Sequence, residues 1–183
     1  QVAKNINNLK EKVTGNATIP VPIPVNELKE NDNTKDDPKL SREEIINQAF
    51  SFHSKGNILE AIKYYQYFIK QGFKDHKVFS NFGKILIDLG KFKEAEVSLR
   101  NAIELKPDAA DNYTNMGNMF AMQGNAKEAE LYYRKSIELT PENATSLSNL
   151  GLVLRDLGKL NEAEASIRKA IETKPDFADA YSN

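Results

Sequence analysis

The chain has 183 residues, no cysteine, and 25 basic against 26 acidic side chains, which leaves a formal net charge of −1. A near-neutral chain argues against a nucleic-acid or membrane surface, because either would normally need an excess of basic residues. The absence of cysteine excludes disulfides, thiolate zinc sites and cysteine catalysis. No apolar run approaches the length of about 18 residues that predicts a membrane span, and the cytoplasm is the default compartment.

Residues 1–40 are predicted to form a disordered N-terminal tail. Within it, residues 21–25 alternate valine or isoleucine with proline, a pattern that favours an extended, polyproline-like chain. Residues 31–38 are polar and typical of turns. We interpret the proline stretch as a linker, with a docking peptide as the alternative.

From Ser41 onward the sequence repeats with a period of 34 residues, and Ser41 with Glu44 forms a capping box that predicts the start of the first helix. The recurring positions are Gly56, Gly90, Gly124 and Gly158; Ala61, Ala95, Ala129 and Ala163; and Pro107, Pro141 and Pro175. This period predicts stacked helical hairpins. We divide the domain 41–183 into repeats 42–75, 76–109, 110–143 and 144–177, followed by the start of a fifth repeat at 178–183.

The first helix of each repeat carries bulky apolar residues at its fourth, seventh and eleventh positions, which form one helical stripe. The eighth position is glycine in three repeats, at Gly83, Gly117 and Gly151. A glycine inside a helix costs about 1 kcal/mol, so we expect the second helix to approach closely there. The glycine in the middle of each repeat is predicted to end the first helix in the left-handed conformation.

The second repeat carries this pattern at Phe79, Phe82, Gly83, Leu86, Ala95, Leu99, Ala102 and Pro107. With the equivalent residues of the third and fourth repeats, the pattern resembles the tetratricopeptide repeat. The resemblance implies an all-α fold, a right-handed superhelical solenoid of helix-turn-helix units, with the first helices on the inner, concave wall. The first repeat departs from the pattern at Gln48, Ala49, Phe68 and Phe73, as expected for a terminal repeat that has a neighbour on one side only.

Asparagine occupies the sixth position of every repeat. We call these residues the asparagine ladder: Asn47, Asn81, Asn115, Asn149 and Asn183. Asparagine is a mediocre helix former, so its recurrence inside helices indicates a specific role. The sixth position lies about 200° around the helix from the fourth, opposite the packing stripe. Under the resemblance, the ladder therefore faces the concave wall.

A carboxamide can pair with both the N–H and the C=O of a peptide backbone, whatever the ligand's side chains. Neighbouring helices lie about 8–10 Å apart and an extended peptide advances about 3.3 Å per residue. One ladder asparagine would therefore meet about every third ligand residue. The sequence predicts a protein or peptide partner in the concave groove. The alternative is that the asparagines hydrogen-bond neighbouring helices or face water.

Two narrower functions stay open. Residues 113–118, 148–151 and 180–183 are similar to the repeats of O-linked N-acetylglucosamine transferases and of bacterial multi-repeat transferases. This similarity implies a substrate-recruiting arm with a catalytic domain beyond Asn183, and the start at Gln1 indicates a fragment. Some tetratricopeptide modules are instead chaperone adaptors that hold a carboxylate with lysine and asparagine at the fifth and ninth positions. Lys84 and Asn118 match that arrangement in part and are candidate binding residues.

No pattern in the sequence predicts catalysis. His53 and His76 have no metal-ligand spacing to each other or to paired carboxylates, and no glycine-rich phosphate loop is present. We therefore predict no catalytic residue, no metal and no cofactor for these residues. The oligomeric state is left open.

Overall fold

The computed structural model describes residues 40–174, so residues 1–39, Pro175 and the predicted start of a fifth repeat with Asn183 lie outside the described residues. The described part contains helices and no strand. Its helices are α1 Arg42–Ser54, α2 Ile58–Lys70, α3 His76–Asp88, α4 Phe92–Leu105, α5 Ala110–Met122, α6 Ala126–Leu139, α7 Ala144–Asp156 and α8 Leu160–Thr173. The prediction of an all-α helical repeat solenoid is confirmed.

The helices pack as four hairpins, α1–α2, α3–α4, α5–α6 and α7–α8, which stack in chain order. The second helix of each hairpin packs against the first helix of the next. The first helices α3, α5 and α7 also contact one another in turn. A continuous layer of first helices is therefore available to carry a site that extends over several hairpins.

Glycine ends the first helix of every hairpin, as predicted. Gly56, Gly90, Gly124 and Gly158 have φ values of 76°, 75°, 74° and 75°, which is the left-handed region. In the second hairpin the N–H of Gly90 donates to the carbonyl of Ile87 and the N–H of Lys91 donates to that of Leu86, each at 2.8 Å. These two bonds satisfy carbonyls at the end of α3 and reverse the chain within a few residues.

In the first repeat, a glycine in the left-handed conformation ends the second helix as well. Gly72, with φ of 77°, ends α2, and the N–H of Phe73 donates to the carbonyl of Phe68. The later hairpins have a proline in this region instead. The departure of the first repeat at Phe73 is thus explained by a different way of ending the helix.

The glycines at the eighth position lie where the second helix comes closest. A Cβ atom added at Gly83 would lie 2.8 Å from Leu99 Cδ2, and one at Gly117 would lie 2.5 Å from Tyr133 Cε1. A Cβ atom at Gly151 would meet Ile167 in the same way. The predicted close approach is therefore confirmed, and the side chain that covers each glycine comes from the same position of the second helix.

None of the helices in the described range, residues 40–174, is both long enough and apolar enough to cross a membrane.

Candidate peptide-binding site

Two adjoining clefts lie on the layer of first helices. The first has a volume of about 610 Å³ and is lined mainly by α3 and α5. The second, of about 340 Å³, is lined mainly by α3, α5 and α7. Lys84, Asn115 and Asn118 line both. We call the two clefts together the groove.

The structure brings five of the seven sequence-predicted site residues to the groove: Asn81, Lys84, Asn115, Asn118 and Asn149. The three ladder asparagines among them are half-buried. Asn47 is exposed on α1 and lines neither cleft. Asn183 lies outside the described residues.

Each ladder asparagine in the groove interacts with the preceding hairpin, and two of the three donate a hydrogen bond to it. Asn115 Nδ2 donates to Ser80 Oγ at 3.0 Å, and Asn149 Nδ2 donates to Asn118 Oδ1 at 2.9 Å. Asn81 acts on the Tyr65 hydroxyl of the first hairpin, where it opposes the rise in pKa that burial causes. A carboxamide has two N–H groups and a carbonyl oxygen, so one bond to a neighbouring hairpin leaves other groups of the same amide for a ligand. The ladder therefore joins hairpins and lines the groove at once.

Two buried tyrosines of the second helices reach the groove amides, and sequence reasoning missed both. The Tyr133 hydroxyl donates to Asn118 Oδ1 at 2.8 Å, and burial raises the pKa of Tyr133 to about 12 while a hydrogen bond from Asn149 acts in the opposite direction. Burial likewise raises the pKa of Tyr65, whose hydroxyl lies 2.9 Å from His53 Nδ1. The sequence contains one signal for them. In the first and third repeats, a tyrosine occupies the position of the second helix that covers the eighth position of the first helix.

That covering position holds a hydroxyl in the first and third hairpins and an aliphatic side chain in the other two. Its four residues are Tyr65, Leu99, Tyr133 and Ile167. The tyrosines can place a hydrogen bond next to the groove, whereas leucine and isoleucine can only pack. The polar contacts of the groove therefore differ from hairpin to hairpin although the backbone repeats.

The charges along the groove are mixed. Lys77 and Lys84 are accompanied by Asp88, Asp111 and Asp156. The groove is therefore suited to a ligand that carries no large charge of one sign.

The fifth position of α3, α5 and α7, where a chaperone adaptor would carry a lysine, holds buried hydroxyl residues. They are Ser80, Thr114 and Ser148, with relative exposures of 8%, 7% and 4%. Lys84 and Asn118 do share both clefts. The partial match of the sequence to a carboxylate-binding adaptor therefore does not extend beyond these two residues.

A cluster of hydroxyl groups beneath the first cleft was not predicted either. Thr114 Oγ1 lies 2.6 Å from Ser146 Oγ and 2.9 Å from Ser136 Oγ, and Asn143 Nδ2 donates to Ser136 Oγ at 3.2 Å. Thr114 and Asn143 also line the cleft. The available signal was Ser136, a polar residue at a position that is alanine in the second and fourth repeats.

No group of three or more histidine or acidic side chains within residues 40–174 is arranged to hold a metal ion.

Three family models of the tetratricopeptide type of repeat match the sequence. A TPR repeat model matches residues 83–124, and two tetratricopeptide repeat models match residues 110–143 and 132–165. No curated protein is significantly similar to the sequence.

Solved structures share the fold at low sequence identity. The crystal structure of MamA matches with a TM-score of 0.69 and 22% identity, over 76% of this chain and 81% of that one. YrrB, described as a TPR protein with an unusual peptide-binding site, matches with a TM-score of 0.65 and 22% identity, over 74% and 70% of the two chains. A thermophilic TPR protein of Thermus thermophilus matches with a TM-score of 0.64 and 16% identity, over 74% and 75%. At these identities the likeness shows the fold alone.

Proposed function

We propose that this chain, whose repeats are of the tetratricopeptide type, binds a protein or peptide as an extended segment in the groove. The observation that carries the proposal is the position of Asn81, Asn115 and Asn149. These ladder asparagines come from three successive hairpins and line two clefts that adjoin each other. A site with a carboxamide at the same position of each of three hairpins suits a ligand that presents backbone groups at regular intervals.

The chemistry of the groove favours recognition of backbone over recognition of a particular side chain. Amides both donate and accept, and an extended peptide has N–H and C=O groups that are not used within the ligand. Each hydrogen bond contributes about 1 kcal/mol net. Three ladder asparagines would therefore contribute about 3 kcal/mol, with further affinity from apolar contact.

That apolar contact is available in the second cleft. Ile87, Met122, Leu152 and Val153 line it beside the amides, and Met122 is 54% exposed. Covering such surface contributes about 25 cal/mol per Å². Aliphatic side chains of a bound segment would remove Met122 and the half-buried Leu152 from water while its backbone meets the ladder.

The test begins with a peptide selected from a displayed library of 12-residue sequences against the full chain. Asn81→Ala, Asn115→Ala and Asn149→Ala are then combined, and the dissociation constant for the selected peptide is measured by fluorescence anisotropy. We expect binding to weaken about 100-fold, since about 1.4 kcal/mol corresponds to a factor of ten. Circular dichroism should show that the helices are retained.

The matched control combines Asn57→Ala, Asn125→Ala and Asn161→Ala. These three asparagines are exposed and lie outside both clefts, so the control removes the same number of carboxamides from other surfaces. Its affinity should equal that of the unaltered chain. Equal affinities in the two triple variants would contradict a role for the ladder in binding, and failure of the library to yield any binder would contradict the function itself.

The narrower function of holding a polypeptide for a transferase uses the same groove and adds a catalytic domain beyond Asn183. Its support is the similarity of residues 113–118 and 148–151 to the repeats of such enzymes. The reading frame after Asn183 tests it, since the presence of a transferase domain there supports recruitment.

A further inference from the structure

Asn115 and Asn118 are neighbours on one face of α5, because residues three apart on a helix lie side by side. Both side chains line both clefts. Their amides are nevertheless hydrogen-bonded to the protein through different atoms. Asn115 is bonded through its nitrogen to Ser80, whereas Asn118 is bonded through its oxygen to Tyr133 and Asn149.

The oxygen of Asn118 is fixed toward the protein by two donors. The Tyr133 side chain is 2% exposed, so its hydroxyl proton needs an acceptor inside the protein, and leaving it without one would cost about 1–3 kcal/mol. Asn118 Oδ1 is that acceptor at 2.8 Å, and it accepts a second bond from Asn149 Nδ2 at 2.9 Å. The two N–H groups of Asn118 are consequently left for the groove.

In Asn115 it is the amide nitrogen, not the oxygen, that is held by the protein. Its nitrogen donates to Ser80 Oγ at 3.0 Å, and Ser80 is buried. A carboxamide that gives an N–H group to the protein presents its oxygen on the other side. Two side chains of the same type therefore offer different chemistry at adjacent points of the groove.

We propose that the groove has a fixed hydrogen-bonding polarity, in which Asn118 donates to a ligand oxygen, Asn115 accepts from a ligand N–H, and Tyr133 is the positioning residue that holds Asn118 in this orientation. The proposal rests on the proposed function and names the class of ligand more closely. An extended peptide offers a carbonyl and an N–H at adjacent points of one edge. A helical ligand does not, because its backbone groups are bonded to each other.

Two substitutions of equal charge test this polarity in the full chain. Asn118→Asp keeps an oxygen for Tyr133 and Asn149 but replaces the outward N–H groups with a second oxygen. Asn115→Asp keeps the outward oxygen, and its inward oxygen can accept from the Ser80 hydroxyl. Each variant adds one negative charge at neighbouring positions, so each serves as the control for the other.

We expect Asn118→Asp to weaken binding of the library-selected peptide at least tenfold, and at least threefold more than Asn115→Asp does. Thermal melts should place both variants close to the unaltered chain. Equal losses in the two variants would overturn the polarity while leaving the groove as the binding site. Retained affinity in Asn118→Asp would overturn it as well.

Tyr133→Phe tests the positioning role, with Tyr132→Phe as the control. Tyr132 is the adjacent residue on α6, stacks on Phe120 with ring centroids 5.3 Å apart and lines neither cleft. Loss of the Tyr133 hydroxyl should weaken peptide binding about three- to tenfold, whereas loss of the Tyr132 hydroxyl should not change it. Equal affinities of these two variants would overturn the positioning role.

A measurement without ligand separates failure of the polarity from failure of the function. In ¹⁵N NMR of the unaltered chain, the side-chain N–H groups of Asn118 should exchange with water faster than the N–H group that Asn115 gives to Ser80. Tyr133→Phe should shift the side-chain N–H resonances of Asn118, because its oxygen then keeps only the bond from Asn149, whereas Tyr132→Phe should leave them in place. The reverse order of exchange in the unaltered chain would overturn the proposal even if peptides bind.

Discussion

The first and third junctions between hairpins occupy equivalent positions of the repeat and have opposite chemistry. We define the first junction as Ile46, Phe68 and Val78, and the third as Thr114, Ser136 and Ser146. Phe68 and Val78 have 0% exposure, and so have Ser136 and Ser146. The same buried space is filled by an aromatic ring and aliphatic groups at one end of the solenoid and by three hydroxyl groups at the other.

The junction between them is intermediate. Its equivalent residues are Ser80, Ala102 and Asn112, all of them buried. Asn112 Nδ2 donates to the carbonyl of Ala102 at 3.1 Å. Polarity therefore rises along the stack while the helices repeat every 34 residues.

This difference shows that the repeat constrains geometry more than it constrains chemistry. Apolar contact is non-directional, whereas a hydrogen bond has a preferred distance and angle. The third junction meets those demands completely, since no buried side-chain nitrogen or oxygen within residues 40–174 lacks a hydrogen-bond partner. A satisfied polar junction can replace an apolar one without altering the stacking.

The polar junctions are also the ones that face the groove. Ser80, Asn112 and Thr114 line the first cleft, whereas Ile46, Phe68 and Val78 do not. Phe68 instead packs against Phe73, with ring centroids 5.4 Å apart, and lies beneath the guanidinium of Arg42. We infer that the second and third junctions give the first cleft a polar floor, which suits a ligand recognised through its backbone.

Phe68→Ala should give the largest effect, because it removes a fully buried ring from the apolar junction. A buried phenylalanine replaced by alanine costs about 3–5 kcal/mol. Urea denaturation followed by circular dichroism would measure the loss in the free energy of unfolding. Phe68→Leu keeps most of the apolar volume and should cost less than about 1.5 kcal/mol. A loss below about 1 kcal/mol for Phe68→Ala, well under the range for a buried ring, would show that the first junction does not depend on it.

The sequence predicted the features that follow from one hairpin alone. Gly117 inside a helix implied close packing because its loss of helix stability needs a compensation, and Gly124 implied a left-handed helix end. The residue that covers Gly117 could not be identified, because the 34-residue period does not indicate which side chain of the second helix contacts that glycine. Tyr133 and its bond to Asn118 were therefore missed.

The asparagine ladder also shows that contacts between hairpins could not be predicted from the sequence. Helical geometry placed Asn115 and Asn149 opposite the packing stripe, and the structure has both of them in the groove. Their bonds to Ser80 and Asn118 depend on how two hairpins are spaced, and no single helix contains that information. Ser136 was missed for a related reason, because a lone serine on an amphipathic helix does not reveal its partners in the next hairpin.

Thr114→Val should give an intermediate effect, because it removes one member of the polar junction and leaves the others. Ser136 and Ser146 would lose their bonds to Thr114, of 2.9 Å and 2.6 Å, and would keep the 2.9 Å bond that Ser146 donates to Ser136. The buried hydroxyl proton of Ser136 would then have lost its acceptor in the cluster. A buried polar group without its partner costs about 1–3 kcal/mol, and urea denaturation would measure that loss. Thr145→Val is the matched control, since Thr145 is exposed on α7, and should change stability by less than about 0.5 kcal/mol. Equal stability of the two variants would show that the hydroxyl cluster contributes nothing to the junction.

The combination of Thr114→Val, Ser136→Ala and Ser146→Ala should give the smallest effect, although it removes more hydrogen bonds than Thr114→Val alone. When all partners become apolar, no buried hydroxyl is left unpaired, and such replacements can be nearly neutral. Asn143 loses its acceptors but is only half-buried, so water can take their place. We expect the triple variant to lie within about 1 kcal/mol of the unaltered chain in urea denaturation. A loss larger than that of Thr114→Val would show that the hydroxyl network itself stabilises the third junction, so that the apolar and polar junctions are not interchangeable.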